Sequence, residues 1–149
     1  MTKEEAASGL VRLFPEKAHA LDQHYATYNE LLAHVFFGDE IDIPLTELLR
    51  RNRDRQAIQT YCSFIEKMYF EGDAAVQNVV DVTILEYLSD EKTVWFNFGS
   101  YLSDRFIWEI NTVLLPQNGM MAAVPPLPCR TDEGIPHLWK LLFSNRRRR

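Results

Sequence analysis

Two apolar stripes of nearly the same spacing, set end to end around "EGD", constrain this chain more than any other feature. In the first, Ile58, Tyr61, Cys62, Ile65, Met68 and Tyr69 recur at threes and fours; in the second, Val76, Val79, Val80, Ile84, Tyr87 and Leu88 do the same. That spacing gathers side chains on one face of an α-helix, whereas a strand would need strict alternation. The valines favour a strand locally, but the run is too long and does not alternate. Gly72 reads as the stop of the first helix and Asp73 as the N-cap of the second. So short a loop makes the pair an antiparallel helix hairpin.

The same period runs through the flanks. Thr2 and Glu5 have capping-box spacing and open a short helix that Pro15 ends. From Glu16 onward, Leu21, Tyr25, Tyr28, Leu31, Leu32, Val35 and Phe36 predict one long amphipathic helix ending near Gly38. Pro44 suits the first turn of a following helix, "PLTELLRRN", with Asp42 as a candidate cap. "SDEKTVWFNF" interrupts the pattern. A last strong helix follows over about residues 100–115, with Leu102, Phe106, Ile110, Val113 and Leu114 on its core face. The expected fold is all-α: a single-domain irregular helical bundle or short α-solenoid of about six to seven helices.

That helical domain is expected to occupy residues 1–115. Residues 116–149 form a Pro-rich extension, "PQNGMMAAVPPLPCRTDEGIP" without helical period, then a short terminal helix in which Leu138, Trp139, Leu142 and Phe143 are available for docking. The four arginines at 146–149 read as a solvated tail.

The net charge of −5 is laid out in blocks. Residues 1–49 and 61–110 each carry three basic and nine acidic groups; residues 50–60 and 111–149 are net basic. An acidic body repels nucleic acid and attracts basic proteins. No run approaches the roughly 18 apolar residues of a membrane span, and "MTKEEAASGL" lacks the apolar core of a signal peptide. A cytoplasmic protein without membrane or nucleic-acid partners is the expectation. Cys62 and Cys129 have no CxxC or Cys/His spacing and read as free thiols.

The acids are crowded in "HVFFGDEIDIP", where Asp39, Glu40 and Asp42 follow an apolar run with no Lys or Arg among them. An EF-hand needs twelve-residue ligand spacing, which this segment fails. His19 and His24, five apart, and Glu30 and His34, four apart, miss the spacings of zinc and di-iron bundle sites. No histidine is paired with a plausible nucleophile, and His34 lies on a mainly apolar stripe, where a satisfied core or edge position is its plainer role. No enzyme activity, metal or other cofactor is expected. Glu86, Asp90, Glu91 and Asp104 are further acids near inter-helix turns, and together with the first three they would make a negative rim if the turns share an edge. Trp95, Phe96 and Phe98 are candidate interface anchors, with core packing as the plainer alternative. The candidate partner-binding set is therefore Asp39, Glu40, Asp42, Glu86, Asp90, Glu91, Trp95 and Asp104.

Three stretches, "HVFFGD" at 34–39, the junction at 64–78 and "V.ILE.L" at 82–88, resemble a family of small, acidic, helical bacterial proteins. The resemblance covers roughly residues 10 to 110. Some of those relatives look like immunity proteins of polymorphic-toxin or contact-dependent growth-inhibition systems, which neutralise a toxin by binding it. The resemblance therefore implies a stoichiometric antitoxin whose partner is a cognate toxin. Nuclease toxins are generally basic because they hold phosphates, and an acidic partner associates with them quickly. The rivals are a helical scaffold protein with no toxin partner and a metal-dependent bundle enzyme.

Overall fold

The structure, a computed structural model, describes residues 1–115. The expected extension, terminal helix and arginine tail, with Cys129, lie outside the described residues. Among the described residues there are seven helical rods and no strand. Helix α1 spans Lys3–Leu13 and α2 spans Ala18–Tyr28, joined through a 3-10 turn at Pro15–Lys17. Helix α3, Ala33–Phe37, continues through a π-helical turn, Gly38–Asp42, into α4, Ile43–Arg51. Helix α5 is Arg55–Glu71. Helix α6, Ala74–Val79, again continues through a π-helical stretch, Val80–Leu85, into α7, Glu86–Ser89. Helix α8, Lys92–Gly99, precedes α9, Asp104–Glu109, which ends in a π-helical stretch at Ile110–Leu114.

Local signals open and close these helices. The Thr2 hydroxyl accepts the Glu5 N–H at 3.3 Å while the Glu5 carboxylate accepts the Thr2 N–H at 2.8 Å, the reciprocal capping box. Asp73 Oδ1 accepts the Val76 N–H at 3.0 Å and caps α6. Gly72 ends α5 for a steric reason. Its φ of −72° is open to any residue, but a Cβ there would run into the Met68 carbonyl oxygen and the Val76 side chain. The Met1 ammonium donates to the Glu71 carbonyl at 2.7 Å, and the Asp73 N–H donates to the Met1 carbonyl at 2.9 Å, so the chain start is stitched to this corner.

One core runs through all the rods. Ile58, Tyr61, Cys62, Ile65 and Met68 of α5 face Val76, Val79, Val80, Ile84 and Leu88, as the two stripes require. Phe36, Phe37, Phe98 and Phe106 are fully buried, each worth roughly 1.5–3 kcal/mol of transfer free energy. His24 meets Phe36 edge-on at 5.5 Å between ring centroids, and Phe70 meets Phe106 at 5.7 Å.

Several expectations are corrected. The long helix from Glu16 to Gly38 is broken: Asn29 adopts a left-handed conformation (φ 59°) and caps α2, and the Leu32 N–H donates to His24 Nε2 at 3.0 Å as the chain turns. A break that keeps the flanking apolar positions in phase leaves no trace in the period. Tyr25 and Tyr28 of that stripe are exposed, as are Val35 and Tyr87. Gly38 does not stop its helix, and Asp42 does not cap the next one, because both keep right-handed helical dihedrals inside a continuous rod. "SDEKTVWFNF" contains most of α8 rather than a break. The last helix starts at Asp104, with the Ser103 hydroxyl accepting the Phe106 N–H at 3.2 Å, and Ile107 is buried where Val113 is only half-buried.

Candidate functional site

The π-helical turns at Gly38–Asp42 and Val80–Leu85 pack against each other. In such a turn the backbone bonds to the fifth residue back, as the Ile43 N–H does to the Gly38 carbonyl. The extra residue widens the helix and shifts the phase of its faces, and such turns recur at functional sites. Between the two rods lies an open groove of about 510 Å³. One wall carries Asp39, Asp42 and Ile43; the other carries Val82, Thr83, Glu86, Tyr87 and Asp90, with Gly38 at the contact. Four carboxylates thus share a groove that, among the described residues, no Lys or Arg lines. By contrast, a groove of similar size beside α1 mixes Glu4, Glu5 and Glu71 with Arg12 and Lys67, so its charges nearly cancel.

Asp42 is the unusual member. Its side chain is 2% exposed, and Oδ1 has no hydrogen-bond partner. One turn along the same face, the Thr46 hydroxyl is also buried without a partner. Burial, with a smaller contribution from the neighbouring Asp39 charge, raises the Asp42 carboxyl to about 7. A carboxylate normally ionised at neutral pH is here divided between its two forms. Isoleucine 43, Val82 and Tyr87 are each about half exposed around it, giving the groove apolar shoulders beside its charge.

The structure brings Asp39, Asp42, Glu86 and Asp90 together and sends the other candidates elsewhere. Glu40 points away and pairs with Lys17 at 2.9 Å, beside Tyr61, on which Phe14 stacks. Burial alone would depress the Lys17 ammonium, but Glu40 and Tyr61 outweigh it and hold its pKa above the usual value. Glu91 accepts from Arg50 Nε at 2.8 Å, and Arg50 also binds Glu47. Asp104 is exposed in the first turn of α9 and does not line the groove. Trp95 is buried to 3% exposure and stacks on Phe98, so it belongs to the core; Phe96 is the exposed ring of that segment. The acids therefore form one groove and a set of separate ion pairs, not a continuous rim.

Sequence reasoning missed Gly38, Ile43, Val82, Thr83 and the outward role of Tyr87. A signal was present: Val82, Glu86 and Asp90 are four apart, as residues on one helical face must be. The other candidate chemistries gain nothing from the geometry. Among the described residues no group of three or more His, Cys, Asp or Glu is placed to hold a metal. Cys62 is a buried free thiol whose pKa is pushed up by burial and by Glu66, opposite to the shift that makes a nucleophile. His34 is exposed and shares a hydrogen bond with Thr83 Oγ1 at 2.6 Å. No described helix is long and apolar enough to cross a membrane.

A family model for a domain of unknown function, DUF7674, matches residues 7–109. The chain belongs to this family. The DUF7674 match contains every groove residue and covers nearly the same stretch as the sequence resemblance. No curated protein and no solved structure matches the chain.

Proposed function

We propose that this chain is a bacterial immunity protein that neutralises a basic toxin domain, a nuclease being the best fit, by stoichiometric binding through the groove between the α3–α4 and α6–α7 rods. One observation carries the reading: among the described residues, four acids share the groove with three half-exposed apolar side chains and no Lys or Arg. Negative charge beside desolvated apolar area suits a cationic protein surface, because the charge steers encounter and the apolar shoulders supply the contact that excludes water. The family resemblance drawn from "HVFFGD" and the 64–78 junction adds the immunity assignment.

The test is co-expression with the small basic domain of a secreted protein encoded beside this gene. Cells carrying that domain should survive only when this protein is present, and equal killing in both cases defeats the proposal. Charge reversal at Asp39, Glu86 and Asp90 should slow association several-fold at low salt and much less at high salt, since surface charge acts through a screened field. The scaffold rival predicts a persistent partner encoded elsewhere in the genome and no protection.

A further inference from the structure

Gly38 is a glycine that its backbone does not require. Its φ of −58° and ψ of −49° are ordinary helical values, and a Cβ built there would sit 3.7 Å from Asp42 Oδ2 and 3.8 Å from Thr83 Cγ2, both normal contacts. Alanine would fit and would favour the helix. What glycine leaves is a notch, open to the groove, with the Asp42 carboxylate on one side and Thr83 on the other.

The notch is also where, among the described residues, a buried acid keeps an oxygen without a hydrogen-bond partner. Asp42 is almost wholly enclosed, its Oδ1 lacks any hydrogen bond, and its Oδ2 borders the notch. A buried carboxylate with an unpartnered oxygen is costly, and an entering donor with positive charge offsets part of that cost. The charged and titratable groups on the elements packed here are Asp39 and Glu40 of the same turn, His34 of α3, Glu47, Arg50 and Arg51 of α4, Asp81 of the facing π-helical stretch, and Glu86, Tyr87 and Asp90 beyond it. Of the described cations among them, Arg50 is paired with Glu47 and Glu91 and Arg51 with Glu47, and neither lines the groove; His34 is engaged with Thr83.

We propose that the notch over Gly38, between Asp42 and Thr83, is the receptor for the guanidinium of one arginine side chain presented by a basic partner protein. This deepens the docking reading above and rests on it. A guanidinium suits the place better than an ammonium: it is weakly hydrated, and its planar fork can bind Asp42 while its remaining donors reach the groove acids. The apolar stem of the arginine would lie along Ile43 and Val82.

The test is a titration of the full chain with butylguanidinium, followed by the amide NMR signals of Gly38, Asp39 and Thr83, with neutral butylurea as the control. Saturable shifts with the cation and none with butylurea are expected. Gly38→Ala, which fills the notch, and Asp42→Asn, which removes its charge, should each weaken binding at least about tenfold while the remaining spectrum stays folded. Because a cation binds the ionised carboxylate, affinity should rise about tenfold or more between pH 5.5 and 8 in the wild type and stay flat in Asp42→Asn. Absence of saturable shifts, equal shifts with butylurea, or binding unchanged by both substitutions overturns the proposal. So does binding that emerges only when the arginines at 146–149 are replaced by serine, since the chain's own tail would then hold the groove. Probe binding without protection from the toxin domain leaves the notch standing and removes the immunity reading. Protection that survives both substitutions, without probe binding, does the reverse.

Discussion

The chain contains the pair Gly-Asp twice after an apolar helix, at Gly38–Asp39 in "FFGDE" and at Gly72–Asp73 in "FEGDA", and it treats them in opposite ways. At Gly72 the helix ends, the backbone becomes extended (ψ 151°), and Asp73 caps the next helix. At Gly38 the helix runs on through a π-helical turn, and the acid three residues after Asp39 is buried with one carboxylate oxygen unpartnered. The first pair builds a corner. The second builds a groove wall. Identical local chemistry is thus compatible with either outcome, and the packing of the rods chooses between them.

The largest expected effect lies at the groove. The folded Asp42 carboxyl titrates near 7 against 3.8 when unfolded, so between those values the folded state keeps a proton that the unfolded chain has released. This contribution to stability is full below about pH 4, falls as pH rises through the window, and is gone above the folded value. Three pH units at roughly 1.4 kcal/mol each make it on the order of 4 kcal/mol. Asp42→Asn should therefore be close to wild type in urea denaturation at pH 4 and markedly more stable at pH 8. A constant difference between the two proteins across that range would return Asp42 to the class of ordinary solvated acids.

At the corner, Gly72→Ala should cost about 1–3 kcal/mol, because the added methyl meets a backbone carbonyl that cannot move aside without shifting the hairpin. A thermal midpoint equal to wild type would show that the turn relaxes freely. Asp73→Ala should cost about 1 kcal/mol, the usual value of a lost cap, whereas Asp39→Ala, which caps nothing, should leave stability nearly unchanged; equal losses would erase the contrast between the two pairs. The smallest effect has the opposite sign. Gly38→Ala should stabilise the fold by roughly 0.5–1 kcal/mol, and a destabilisation as large as that of Gly72→Ala would mean that this glycine, too, is demanded by the backbone.

Much of the architecture was legible from residues close together in the chain. The stripes of α5 and α6, the capping box at Thr2 and Glu5, and the Gly72–Asp73 corner all depend on contacts within about one turn of helix. The break at Asn29 and the helix at Lys92–Gly99 were not legible. At the first the apolar phase continues across the break; the second is only eight residues long, with Val94, Trp95 and Phe98 buried, too few positions to establish a period. For the groove, residue type indicated acids, but not which of them would be left outside ion pairs. Glu40 and Glu91 look no different in sequence from Asp39 and Glu86; they are neutralised because Lys17 and Arg50 happen to reach them.

Helix content, the caps and the surplus of negative charge follow from side chains acting on their own or neighbouring turns, and a linear string records those relations directly. The groove does not, because Asp39 and Glu86 face one another across rods whose mutual register depends on how Phe36, Phe37, Val80 and Ile84 interlock in the core. A one-residue change of phase in a π-helical turn rotates a carboxylate from solvent into the interior. The free energies that select that phase come from close packing among distant segments, which no local pattern encodes.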